Sequence, residues 1–373
     1  MKLAKLSLAA IMVVGALSTA NAAPLEEAIK GVDFSGMLRY RLNDEDDQGS
    51  VEAKDVSQND FDFLGKFTAP VTSDLKAVLA FASSSAAGAN NTGNSIGEMK
   101  VDLRKAFFVY KKDALTVKAG LQALGTPVTD NGFNGNKGTG VIGMYNLGSV
   151  TLAGAYFGGA NAKDYNLPAE GVEAEIAAVA ALGSFGAVNA QVWGITVQSV
   201  VERMIFAQVD GKVAGVSLLG QVIHTKLADA QVGVGDEDTG TFYAVKAGYA
   251  MDNFSFNAGY VENDEDQPYY SIAGGDSSGV VYPGWRLGYE IDNEADTSAF
   301  FADAGATFGK VGVKAGYAAS SSDTAANELN EIWGQVSYKY AKNFNTYVKY
   351  SDMESDGDAV DQKYFRFEAK YSF

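Results

Sequence analysis

The sequence predicts an all-β protein, a transmembrane antiparallel β-barrel of about eighteen strands, with sixteen as the alternative. Three observations carry this. The chain begins like an exported protein, it alternates apolar and polar residues through most of its length, and its connections alternate short with long. An amphipathic barrel strand offers one face to lipid and one to the lumen, so mean hydropathy near zero does not argue against a membrane protein.

Residues 1–22, MKLAKLSLAAIMVVGALSTANA, place Lys2 and Lys5 before an apolar run from Leu6 to Leu17 and end on Ala20-Asn21-Ala22. This is the layout of a secretory signal peptide, with cleavage expected after Ala22 and a barrel over 23–373. The apolar run is shorter than the roughly 20 residues of a spanning helix.

Strands are predicted at 32–43, 59–69, 75–85, 99–111, 114–123, 139–147, 149–158, 172–182, 186–195, 201–210, 213–224, 240–250, 253–262, 297–307, 310–320, 330–340, 343–353 and 362–373. In the first, Phe34, Leu38, Tyr40 and Leu42 share one parity, and Asp33, Ser35, Arg39 and Arg41 the other. In the second, Phe61, Phe63 and Phe67 oppose Asp62, Lys66 and Thr68. In the fifth, Leu115, Val117, Ala119 and Leu121 oppose Thr116, Lys118 and Gln122, and 310–320 and 343–353 repeat the pattern. The segments 139–147, 172–182 and 201–210 are Ala- or Gly-rich, or alternate poorly. The last strand, YFRFEAKYSF, sets Phe365, Phe367, Tyr371 and Phe373 against Arg366, Glu368, Lys370 and Ser372. An aromatic stripe that runs to the final residue suits a strand that closes a barrel, with Phe373 in the periplasmic aromatic girdle.

The short connections are PVTSD, KKDA, NLGS, GSFG, DGK, MDN, FGK and AKN; the long ones are acidic, the longest covering 262–296. Short periplasmic turns and long external loops match a barrel of the Gram-negative outer membrane. The acidic runs Asp44–Asp47, Glu262–Asp266 and Asp292–Asp296 read as solvated loops, able to bridge divalent ions to lipopolysaccharide phosphates.

Composition excludes several functions. The 373 residues include no Cys and one His and carry a formal charge of −17. Loss of Lys2 and Lys5 with the signal takes this to −19. Disulfides and Cys/His zinc sites are ruled out, and nucleic acid is a poor partner for so acidic a chain. His224, in QVIHTK, is the one candidate base for a serine hydrolase and has no acidic partner implied by the sequence, so no catalytic residue is assigned.

Two stretches, PLEEAIKGVDFSGMLRYR at 24–41 and LGTPVTDNGFNGNKGTGV at 124–141, resemble the Campylobacter-type major outer membrane porins, as does the signal MKLAKLSLAA. The two stretches cover about a tenth of the chain, which is shorter than typical members through trimmed external loops. The resemblance implies an eighteen-stranded homotrimeric porin whose third loop folds inward, with calcium held near the constriction by loop carboxylates. Trimerisation would bury the flatter Ala/Gly-rich strand faces. Candidate ligands are Asp130, Asn134 and Asp164; family members can carry an acidic residue near Asn134, and its absence weakens the site.

Parity puts Arg39, Arg41, Lys66, Lys76, Arg104, Lys118, Arg366 and Lys370 on the polar face, a basic wall on one side of the lumen. Asp130 of the third loop would oppose it, giving a transverse field that orders dipolar solutes. The function expected is passive diffusion of small hydrophilic solutes and ions, with weak cation preference and no enzymatic step. A substrate-preferring channel, or an adhesin or structural barrel with a plugged lumen, is the alternative. The expected partners are outer-membrane lipid, lipopolysaccharide and the barrel-assembly machinery, the last through the strand ending at Phe373.

Overall fold

The computed structural model describes residues 31–47, 54–87, 100–132, 135–161, 173–231, 238–265, 268, 272–273, 276–291, 294–322, 328–355 and 360–373. The expected signal peptide lies outside them. Eighteen strands form one antiparallel sheet in sequence order: β1 (Asp33–Asp47), β2 (Lys54–Pro70), β3 (Leu75–Ala87), β4 (Lys100–Lys112), β5 (Leu115–Ala123), β6 (Lys137–Asn146), β7 (Val150–Asn161), β8 (Glu173–Phe185), β9 (Val188–Val197), β10 (Val201–Val213), β11 (Val216–Leu227), β12 (Thr239–Met251), β13 (Phe254–Asn263), β14 (Thr297–Phe308), β15 (Val311–Ser322), β16 (Leu329–Ala341), β17 (Phe344–Ser355) and β18 (Asp361–Ser372). No helix among the described residues is long and apolar enough to cross a membrane; the strands are the spanning elements.

The sheet closes on itself. β1 pairs with β18 from Met37↔Ser372 to Asp47↔Gln362. Beyond the ladder, Gly36 N–H donates to Phe373 O at 2.7 Å and Phe373 N–H returns to Gly36 O at 3.1 Å. A β-carbon at residue 36 would collide with the Leu64 carbonyl oxygen of β2 and with the ring of Phe373, so glycine is required there. Phe373 also meets Phe34 at 5.3 Å between centroids, and Phe34 meets Phe67 at 4.6 Å. The apolar stripe at the C-terminus is thus part of an aromatic girdle that seals the closing seam.

Three predictions need correction. The acidic run Asp44–Asp47 is not loop: it pairs with Lys54–Ser57 and Gln362–Phe365 as the outer end of β1. Strands of 15 and 17 residues exceed the 9–11 that cross a bilayer, so the wall continues past the membrane. Likewise, Glu262 and Asn263 end β13. The predicted turn DGK lies inside β10; the chain reverses at Ala214-Gly215, with φ of 51° and 86°, the two positive values that a two-residue hairpin turn needs. Finally, the β9–β10 connection covers only Gln198–Val200, so not every external loop is long. The three segments with weak alternation do form strands, β6, β8 and β10.

Candidate functional site: the lumen and its two inward loops

The interior contains a dry core. On the inner face of β7–β11, Phe157, Ile176, Ile195, Met204, Phe206 and Ile223 are each at most 1% exposed, although a barrel lumen is expected to be polar. They are covered by two connections that turn into the barrel. The β5–β6 loop contributes Leu124 and Val128, and the β13–β14 loop contributes Ile272, Val281, Leu287 and Ile291 to the same cluster.

The loops are stitched together by backbone. Ile272 N–H donates to Val128 O at 3.1 Å, Ser278 N–H to Thr129 O at 3.0 Å, and Gly279 N–H to Pro127 O at 2.8 Å. Gln221 of β11 holds the longer loop from one side, donating to Gly279 O at 2.6 Å and accepting Val281 N–H at 2.9 Å. From there the loop crosses to β16, where the Glu331 carboxylate accepts the N–H groups of Trp285, Arg286 and Leu287 at 2.8–3.1 Å. This segment opens the short helix α1 (Leu287–Glu290). Gly284, at φ +66°, precedes it where a β-carbon would collide with that carboxylate. Trp285 then stacks edge-on against Tyr364 at 4.9 Å.

The inward third loop is present as expected, but the sequence reading missed its larger companion. The 262–296 stretch was assigned to the exterior because of its charge; its apolar pieces, SIAGG and GVVYPGW, were the available signal that part of it is buried.

The remaining wall is charged. Arg39 donates from Nε and Nη2 to Asp62 at 2.7 and 2.6 Å, and Arg41 likewise to Glu368 at 2.8 Å from each nitrogen. In each pair both nitrogens converge on one carboxylate oxygen, a charge-assisted contact across adjacent strands, β1–β2 and β1–β18, so both arginines are largely neutralised. Arg366 donates to Asn43 Oδ1 and Tyr364 OH, both at 2.7 Å. Lys349 lies over Trp285 at 4.0 Å and Trp333 at 4.6 Å. Lys66, Lys118 and Lys105 face inward in the ladder, and Lys66 and Lys118 each lie near enough to Lys105 to repel it. Lys76 and Lys370 keep the same inward parity.

Lys105 was not predicted. A bulge between the pairs Ala80↔Lys105 and Phe81↔Leu103 inserts Arg104 and passes the inward place to Lys105; a bulge of this kind is invisible to strict alternation. Lys105 and Lys118 line one cavity beneath the β5–β6 loop.

Asp130 sits where the two loops meet. Its Oδ1 accepts Gly132 N–H at 2.6 Å, and Asn136 fixes its backbone at 2.8 and 2.7 Å. Burial and the neighbouring Asp276 carboxylate hold its pKa above the ordinary carboxylate range, against the Gly132 bond. Asp276 accepts Tyr289 OH at 2.8 Å. Burial, with Asp276 second, raises that phenol's pKa well above normal. Arg286 lies 5.7 Å over the Tyr289 ring. Arg366 of the wall also lies close enough to that phenol to act on its charge, so Tyr289 links the acidic pair on the loops to the arginine-bearing wall. Asn134 and Asp164 lie outside the described residues. Among the described residues no three acidic or histidine side chains gather into a metal-ion cluster. His224 points to the outer face, its Nδ1 3.0 Å from Thr241 Oγ1.

The sequence profile described as Campylobacter major outer membrane protein matches residues 1–373. The chain belongs to this family. No curated protein sequence matches it. Among solved structures it is similar to Acinetobacter baumannii OccAB1, with a TM-score of 0.75 and 16% identity over 92% of this chain and 96% of that one. Pseudomonas aeruginosa OpdK, solved with vanillate, gives 0.72 and 14% over 92% and 99%. P. aeruginosa OccK11 gives 0.72 and 12% over 92% and 96%. At these identities the likeness is one of fold. Family and fold together place this porin in the outer membrane of a Gram-negative bacterium, as a channel for small solutes.

Proposed function

We propose that the porin passes small hydrophilic solutes and ions by passive diffusion, without a catalytic step, along a path confined to the charged side of the barrel. The observation that carries this reading is the division of the inner wall. Along β7–β11 the wall is apolar and covered by the inward loops; along β1–β5 it is lined by arginine–carboxylate pairs and lysines that keep water in contact with the wall. With Arg39 and Arg41 neutralised by Asp62 and Glu368, the acidic loops and outer strand ends set a weak cation preference. Trimerisation through the small-residue outer faces and export by the N-terminal signal complete the reading.

A divalent cation fits Asp130 best. Two repelling carboxylates, Asp130 and Asp276, offer the oxygen donors that calcium prefers, and Asn134 and Asp164 would supply others. When bound, the ion would cancel that repulsion; Gly132 and Asn136 orient Asp130 whether or not it is there.

Osmotic swelling of proteoliposomes tests the diffusion reading. Uptake of neutral solutes that falls smoothly with size supports it. Vesicles that never swell, despite folded barrel, contradict it.

A further inference from the structure

Below the β5–β6 loop, on the side of the short turns, the wall encloses a cavity of about 450 Å³, within the range of small-molecule sites. Its roof is Leu124–Thr126 and its side is formed by Phe107, Met144 and Trp193, with small residues such as Ala153 between. Trp193 is held in place by its Nε1–H donated to Gln191 Oε1 at 2.8 Å. The cationic groups at the cavity are Lys105 and Lys118, and among the described residues neither makes an ion pair.

Two ammonium groups beside an apolar wall make contradictory demands on most solutes. A hydrated inorganic anion answers the charge but leaves the wall wetted; a neutral arene covers the wall but leaves the lysines repelling. A molecule with a carboxylate at one end and a ring-sized apolar body at the other answers both.

We propose that this cavity, between Lys105/Lys118 and Trp193, is a binding station for small organic monocarboxylates with an apolar body. The station deepens the channel reading, because the pore is its route of access, while binding itself needs only the folded barrel. Such a site coexists with cation preference for simple salts, since it acts on solutes that also gain from leaving water.

The test uses the full refolded chain in detergent, with benzoate as probe and tryptophan fluorescence as readout. A saturable change is expected, lost in Trp193→Phe, which retains Trp285 and Trp333. The double variant Lys105→Gln/Lys118→Gln should weaken it at least tenfold, and Ala153→Leu, which fills the cavity and leaves the charges, should do the same. Benzyl alcohol and acetate should each bind at least tenfold more weakly than benzoate. Equal benzoate binding in the lysine variant, or acetate as good as benzoate, overturns the proposal. In planar bilayers benzoate should block current saturably. A conducting barrel indifferent to benzoate overturns the station alone, whereas a barrel that binds benzoate but passes no current upholds the station and overturns the channel.

Discussion

The carboxylate of Glu331, fully buried on β16, accepts the backbone N–H of Leu287 at 3.1 Å, and through it the β13–β14 loop is anchored to the wall five strands on from Gln221 of β11. The same carboxylate takes the N–H groups of Trp285 and Arg286 and the hydroxyl of Ser351 at 2.6 Å. Hydrogen bonds to a charged acceptor are worth about 1.5–3 kcal/mol each, so this one side chain competes with the entropy of a free loop. Glu331→Ala should leave the barrel assembled but free the loop. The expected readout is a conductance raised by roughly half or more, with noisier openings; unchanged conductance would show that Gln221 and the apolar core suffice to hold it.

The arginine–carboxylate pairs on β1 predict a charge effect in two directions. Asp62→Asn removes the negative charge that Arg39 grips, and Glu368→Gln does so for Arg41. Each should move the reversal potential under a salt gradient toward anions, while Arg39→Gln moves it toward cations. Asp62 has 2% side-chain exposure, and breaking a buried pair costs about 3–5 kcal/mol, so Asp62→Asn should also lower the temperature at which the barrel unfolds.

Asp130 predicts a pH dependence with a definite sign. Its pKa is raised in the folded protein, mainly by burial and then by Asp276. The folded state therefore holds a proton that the unfolded chain has already released. Stability of the loop junction is greatest below the unfolded carboxylate range and falls as pH rises toward and through the folded pKa. Cation preference should fade on acidification, starting at a higher pH than an exposed carboxylate would produce. Asp130→Asn should remove that step and also any calcium-dependent shift in reversal potential. A pH profile identical to wild type would show that Asp130 does not border the conducting path.

The closing seam predicts an assembly defect. Gly36→Leu puts a side chain where the Phe373 ring lies, and Phe373→Ala removes that ring together with its contact to Phe34. Both should slow refolding into detergent or lipid severalfold, measured by the shift between folded and unfolded bands on gels run without heating. Wild-type rates in both would place the closing step elsewhere on the seam.

The barrel was legible because period two is a local property: each strand states in its own residues which face meets lipid, as Phe34, Tyr40, Phe365 and Phe367 do. Ala-rich β8, read at 172–182 despite its weak alternation, spans Glu173–Phe185. The lumen was legible only in part. Arg39, Arg41, Lys66 and Lys118 follow from parity, but their pairing does not, because the partners of Arg41 and Arg39 lie on β18 and β2 and depend on register. Lys105 was hidden by a bulge at Arg104. The β13–β14 loop was hidden by its own ends, since the charges flanking SIAGGDSSGVVYPGW masked a centre that packs on Phe206 and Ile223. Loop burial is decided by what the opposite wall offers, and no single segment records that.

The central claim is that water and ions cross beside the loops on the charged side of the barrel. Single-channel recording of the refolded full chain in planar bilayers, with reversal potential under a salt gradient, tests it most directly. The account predicts stepwise openings in groups of three, a weak cation preference, and a shift toward anions in Asp62→Asn. Silence from a folded, heat-modifiable barrel would contradict it and leave the inward loops as a plug.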